Sequence, residues 1–102
     1  MTSTTQTDPS PYIERICTEF GVSRDELIGH GKKQAVSAPR KLLMAALRSQ
    51  GWQLQQIGAL LSNRHHSTVI AGIRDMRKRI DSSAALQSIY RRVTLGAETA
   101  SE

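Results

Sequence analysis

Apolar and polar positions recur along this chain in blocks with a helical period. Ile13, Ile16, Cys17 and Phe20 stand at i, i+3, i+4 and i+7, which puts them on one face of a helix. Ser10 followed by Pro11 reads as an N-cap with proline in the first turn, where its missing N–H costs nothing, and Gly21 reads as the stop. Ser23 and Glu26 have capping-box spacing just ahead of Leu27 and Ile28, so a short second helix follows and ends at Gly29 and Gly31. Ser37 is the expected cap of a third helix with Pro39 in its first turn. Leu42, Leu43, Ala46 and Leu47 face inward there up to Gly51, leaving Arg40, Lys41 and Arg48 outside. Leu54, Ile57, Leu60 and Leu61 form a fourth stripe. Only Ser62, Asn63 and Arg64 separate it from the longer stripe of Val69, Ile73, Met76 and Ile80, and two helices joined so briefly make a helix-turn-helix. Asp81, Ser82 and Ser83 supply another capping signal, after which Leu86, Ile89, Tyr90 and Val93 define a last helix ending at Gly96.

This pattern predicts an all-α fold, a compact bundle of about six helices containing a helix-turn-helix. One domain is expected over residues 10–96. A polar tail over 1–9 lacks the apolar residues to offset the entropy of ordering, and residues 97–102 are expected to fray. The chain has 102 residues, enough for one core, and 38% of them are hydrophobic with only four aromatics, so that core is mostly aliphatic.

Charge narrows the function. The formal net charge is +5, and its distribution is uneven. Between Gly29 and Ile80 stand Lys32, Lys33, Arg40, Lys41, Arg48, Arg64, Arg74, Arg77, Lys78 and Arg79, with His65 or His66 adding to them if charged. They face a single acid, Asp75. A cationic middle attracts phosphate polyanions and anionic membranes alike. No run of about 20 apolar residues is present to cross a bilayer, and no N-terminal leader pattern precedes the first helix. The lone Cys17 rules out an internal disulfide, and its spacing from His30, His65 and His66 fits no zinc pattern, so neither metal nor other cofactor is expected. These features together favour a cytoplasmic protein without a membrane role.

The chemistry concentrates after the turn. In a helix-turn-helix the second helix enters the major groove by its N-terminal end, where side chains must be short or polar to reach base edges. His65, His66, Ser67 and Thr68 meet that demand: imidazoles donate to guanine acceptors or phosphates, and the threonine methyl packs on a thymine methyl. Taken alone, Arg64 to Thr68 reads more readily as a solvated turn and cap. Ser67 beside His66 is no catalytic pair, because neighbours on a helix diverge by about 100° and no carboxylate follows to orient the imidazole. No enzymatic activity is expected. Trp52, next to Gly51, reads as a packing residue rather than a base-stacking platform. Arg74, Arg77, Lys78 and Arg79 are placed to follow a phosphate strand, Asp75 and Arg79 to pair at i, i+4, and Arg91 and Arg92 to stay solvated.

Context decides between these readings. Ile57, Gly58, Arg64, His66, Ser67, Thr68 and Val69 fall in a pattern that resembles the signature of the C-terminal DNA-binding domain of the DnaA replication initiators, approximately Ile-Gly-x-x-Phe-Gly-Gly-Arg-Asp-His-[Ser/Thr]-Thr-Val. The resemblance extends to Asp25 and the residues after it, the basic loop, Val36, and Pro39 with Arg40, covering about Tyr12 to Leu95. It implies double-stranded DNA as partner, including DnaA-box-like sites. His66 and Thr68, together with His65, are the candidate base readers. Arg64 and Ser67 hold backbone or base edge, Val69 belongs to the core, Arg40, Lys41 and Arg48 meet phosphates, and Lys32 with Lys33 lies in a basic loop at the minor groove or backbone.

The departures bear on what is read. The family's aspartate is His65 here, its Gly-Gly turn is Ser62-Asn63, in which Asn63 is suited to a left-handed conformation, and Ala38 replaces a residue that is often basic. Nothing in the sequence resembles a Gly-rich phosphate loop, so a free-standing DNA-binding module without the ATPase is expected. The reading that follows is a sequence-preferring regulator of transcription or replication, binding as a monomer with a dimer as the other option, at the nucleoid of a bacterial or phage-infected cell. The alternative is an interaction module whose basic face takes an acidic protein or the initiator itself.

Overall fold

A computed structural model describes residues 9–29, 34–62 and 64–100. Six helices cover most of them: α1 (Ser10–Phe20), α2 (Arg24–Ile28), α3 (Gln34–Ser49), α4 (Leu54–Leu60), α5 (His66–Ser82) and α6 (Ala84–Ala100). With helices the only regular elements among the described residues, the fold is the all-α bundle that the periodicity predicts.

Local chemistry explains most of the boundaries. At Gly21 the chain turns left-handed at φ 67°, and the Gly21 and Val22 N–H groups donate to Cys17 O, which closes the end of α1. Ser23 and Glu26 form the expected capping box, with Glu26 N–H on Ser23 Oγ at 3.1 Å and Ser23 N–H on Glu26 Oε1 at 2.9 Å. Ser83 stands alone between α5 and α6 and caps the latter through Leu86 N–H on its Oγ at 3.2 Å.

Three boundaries differ from expectation. Ser10 is the first helical residue and Pro9 the cap, with no side-chain capping bond. α3 begins at Gln34, so Ser37 and Pro39 lie inside it; with five residues ahead of it, the proline deprives only the Ala35 carbonyl of its helical donor. α6 runs on to Ala100, because Gly96 costs a helix only about 1 kcal/mol and the alanines and glutamate after it are good helix formers.

α3 is the axis of the bundle and packs against each of the other five helices. Leu42, Leu43, Met44, Ala45, Ala46 and Leu47 are all buried, a run that no single face of a surface helix accommodates. Around it sit Tyr12, Ile13 and Ile16 of α1, Leu27 of α2, Ile57 of α4 with Leu61 at its end, Val69, Ile73 and Met76 of α5, and Val93 of α6. Trp52, between α3 and α4, is 7% exposed and belongs to this core, in keeping with a packing role. Arg92 is exposed as expected and also ties α6 to α1, donating from Nε and Nη2 to the two carboxylate oxygens of Glu19 at 2.8 and 3.0 Å. That hydrogen bond holds the Glu19 carboxyl below its ordinary pKa and raises that of Arg92.

Candidate nucleic-acid interface

The turn between α4 and α5 is set by two close approaches. Gly58 in α4 accepts the Arg64 N–H at 2.9 Å, and a Cβ on Gly58 would collide with the Arg64 carbonyl, so only glycine lets the chain fold back here. Ser62 takes the left-handed conformation at φ 65°, which costs a non-glycine residue about 1–2 kcal/mol. Its hydroxyl offsets part of that by donating to Ile28 O at 2.8 Å. The left-handed position among the described residues of the turn is thus Ser62; Asn63, expected to supply it, lies outside them.

α5 then starts where the sequence places it. His65 is the N-cap: its Nδ1 accepts the Ser67 N–H at 3.1 Å and lies 2.8 Å from Ser67 Oγ. A backbone N–H only donates, so Nδ1 is the bare nitrogen and the neutral ring carries its proton on Nε2. The two imidazoles lie with centroids 4.3 Å apart at 30°. His65, His66, Ser67 and Thr68 are all exposed, whereas Val69, Ile73 and Met76 at i, i+4 and i+7 anchor the opposite face of the same helix in the core. The outcome is a helix end that presents two imidazoles and two hydroxyls to solvent.

A second construction joins this turn to the end of α2. α2 is five residues long, too short to satisfy its last carbonyls, and those of Glu26, Leu27 and Ile28 together with that of its C-cap Gly29 are met by side chains from elsewhere. Arg40 donates from Nη2 to Glu26 O at 2.7 Å and from Nε to Leu27 O at 2.8 Å; Ser62 takes Ile28 O; Arg64 Nη2 takes Gly29 O at 2.8 Å. The end of α2 is fastened to α3 and to the helix-turn-helix at once. Arg40 is placed inside rather than outside, at 7% exposure. Burial first, and then the charge of Arg64, push its guanidinium below its ordinary pKa. Arg64 is half-buried, and its Nε has no hydrogen-bond partner among the described residues.

The remaining expected contacts sort by flank. On one flank of α5, Arg48 is exposed, donates from Nη1 to Trp52 O at 2.8 Å, and shares a groove with Gln53, Leu54, Gln55 and His66. Arg74 and Arg77 continue that flank, with Arg48, around Leu54, Ile70 and Ile73. On the other flank Ser37, Lys41, Arg64, Thr68, Ala71 and Asp75 line a groove between α3 and α5. Lys41 Nζ is 2.7 Å from Asp75 Oδ2, and Arg79 completes the expected i, i+4 pair at 3.2 Å. The Lys41 hydrogen bond, first among the causes, holds the Asp75 carboxyl below its ordinary pKa. Lys32 and Lys33 lie outside the described residues. Gln53 and Gln55 line one groove without having been singled out in the sequence, while Ser37 and Ser62, read there as a cap and a turn residue, instead line the other groove and brace the turn against α2. The Gln53-x-x-Gln56 spacing was the available signal, since Gln56 Oε1 accepts the Gln53 N–H at 2.9 Å and so starts α4.

Among the described residues, no group of three or more His, Cys, Asp or Glu is placed to hold a metal, and no helix is long and apolar enough to cross a membrane.

Comparison with known proteins places this architecture. A family model described as bacterial dnaA protein helix-turn-helix matches residues 12–76, which contain all but the first two residues of α1, then α2 to α4 and the first part of α5. The chromosomal replication initiator protein DnaA of Thermus thermophilus is 32% identical over 87 residues, covering 84% of this chain and 20% of that protein. The DnaA of Thermomicrobium roseum is 32% identical over 84 residues, covering 81% and 18%. That of Mycoplasma pneumoniae is 34% identical over 83 residues, covering 80% and 19%. The chain therefore spans about a fifth of the length of the curated relatives it matches. Its helices, its turn and these matches agree, and the chain belongs to the bacterial DnaA helix-turn-helix family.

Proposed function

We propose that this protein binds double-stranded DNA with sequence preference and acts in the control of replication or transcription. The observation that carries this reading is the first turn of α5: His65, His66, Ser67 and Thr68 are exposed together on a helix whose other face is fixed in the core. An exposed, rigid, polar helix end is what major-groove readout requires. His66 and Thr68 are the principal base readers. His65 adds the Nε2 donor that its capping role leaves outward, and Ser67 holds a phosphate or base edge. Arg48 meets the backbone on one flank of α5 and Lys41 on the other, and the loop carrying Lys32 and Lys33 reaches the minor groove or backbone beside them. Arg40 serves the interface from behind, and with Arg64 and Ser62 it fixes where that loop leaves α2 relative to α5. Membership of the DnaA helix-turn-helix family and the relatives' role as chromosomal replication initiators support the same reading and make DnaA-box-like duplexes the first sites to try.

The test is selection from a random duplex pool at near-physiological salt, with wild type and a His66→Ala, Thr68→Ala double variant in parallel. The wild type is expected to enrich one short motif and the double variant to lose it, with affinity for the selected duplex falling by tenfold or more, since each good base contact is worth about 1–3 kcal/mol. Equal recovery of unenriched DNA by both proteins would contradict the assignment.

A further inference from the structure

Between Gly29 and Ile80 the single carboxylate is Asp75, and it stands on the interface side of α5. Thr68, Ala71 and Asp75 follow one another at i, i+3 and i+7, so Asp75 lies about 10 Å along the helix from Thr68 in the same groove. Lys41 reaches this groove because Gly72 is bare. A Cβ there would stand 3.3 Å from Lys41 Cγ and 2.7 Å from Met44 Sδ, so the lysine stem crosses α5 at that point and ends 2.7 Å from Asp75 Oδ2. Arg79 approaches the same oxygen at 3.2 Å. A DNA strand that passes Thr68 along this groove meets a lysine whose ammonium is already held by an anion.

The geometry points to Asp75 as an internal competitor for the DNA backbone. It occupies Lys41 in the free protein, and Lys41 must exchange that carboxylate for a phosphate when a duplex binds. This rests on the DNA-binding reading above and deepens it, since it names the residue that limits the sequence-independent part of the affinity. Carboxylate and phosphate make the same demand of an ammonium, a charge-assisted hydrogen bond, so the exchange conserves the lysine's contact. The Lys41–Asp75 contact must be broken first, which costs part of what the phosphate contact returns and lowers the net gain, while Arg79 stays beside the carboxylate. A purely structural role has the opposite consequence: removing Asp75 would loosen α3 from α5 and weaken both fold and binding.

The experiment measures affinity for one duplex over a range of salt with wild type, Asp75→Asn, Lys41→Ala and the double variant, and records the melting temperature of each. Asp75→Asn is expected to bind about threefold tighter, the scale of a partly exposed ion pair, while melting no higher than wild type. Lys41→Ala is expected to weaken binding and to reduce the log–log salt slope by about 0.9, one phosphate contact. The double variant should bind no tighter than Lys41→Ala, because the gain requires the lysine. An Asp75→Asn protein that binds equally or more weakly overturns the proposal. So does a gain of the same size in the Lys41→Ala background, which would make Asp75 a source of general repulsion only. If the wild type binds no duplex, the DNA-binding reading fails and this inference with it; salt-dependent wild-type binding without an Asp75 effect overturns this inference alone.

Discussion

On the α1–α6 side of the bundle Glu19 grips Arg92 with both oxygens, and Glu14, Arg15, Arg24, Asp25 and Glu26 put both signs of charge along α1 and α2. On the α3–α5 side Lys41, Arg48, Arg64, Arg74, Arg77, Lys78 and Arg79 share Asp75. The first arrangement is self-sufficient. Opposite charges there hold helix to helix and leave little field beyond a Debye length of about 8–10 Å. The second is incomplete as a free protein, because a row of cations raises the self-repulsion of the fold unless something outside it supplies the anions. The difference locates the partner: between Gly29 and Ile80 ten Lys and Arg stand against Asp75 alone, whereas the rest of the chain has four against eight acids, so the net charge of +5 comes from the part that holds the turn exposing His65 to Thr68.

The comparison is broken most strongly from the scaffold. Ile16 is fully buried in α1, and Ile16→Ala should cost about 3 kcal/mol of stability through lost burial and a cavity. It should leave affinity for a selected duplex unchanged at temperatures where the variant remains folded. Chemical denaturation and a binding isotherm on the same protein check both halves, and a matching loss of affinity would show that the two sides are not separable.

The next effect is at the seam between scaffold and interface. Ser62 combines a left-handed backbone with a hydrogen bond to Ile28 O. Ser62→Ala keeps the strain and loses the bond, so it should destabilise by about 1 kcal/mol. Ser62→Gly loses the bond but relieves the strain, so it should melt above Ser62→Ala, by the equivalent of about 1–2 kcal/mol. The two melting curves decide this, and the reverse order would mean that Ser62 carries no strain.

These boundaries also show how much could be read before the fold was known. The capping box at Ser23 and Glu26, the cap at Ser83, the stop at Gly21 and the start of α5 at His65 are local chemistry, and they are legible because the partner sits a few residues away. The core stripes of α1 and α5 were legible for the same reason. Arg40 was not. Its charge and its place beside Lys41 read as surface, and only the tertiary approach of the α2 carbonyls provides the acceptors that allow a guanidinium to be buried. Arg92 is exposed as expected, but its ion pair was not legible, because its partner Glu19 lies on another helix, far away in sequence. The early start of α3 was hidden by Ser37 and Pro39, a pair that imitates a helix beginning. The identity of the exposed turn was readable from its residue types, whereas its support from α2, α3 and Ser62 was not.

The smallest expected effect concerns pH on the balanced side. The Glu19 carboxyl is held below its ordinary pKa by Arg92, so the unfolded state binds more protons than the native state through the carboxylate range. Its contribution is present above the unfolded value of about 4.3 and is lost as pH falls through the lower native value. Stability measured from pH 6 down to pH 3 should therefore fall less steeply in Glu19→Gln than in wild type. The pair is partly exposed, so the change in slope should be slight, and an unchanged slope would mean that it adds nothing to the fold.

The central claim, that the cationic side with the exposed start of α5 is the surface that meets DNA, is tested most directly by following backbone amide resonances of the isotopically labelled protein as a selected duplex is added. The account predicts shifts concentrated at residues 64–71 and at Lys41 and Arg48, with residues 14–20 of α1 and 90–94 of α6 unmoved. Shifts confined to α1 and α6, with His66, Ser67 and Thr68 unaffected, would contradict it.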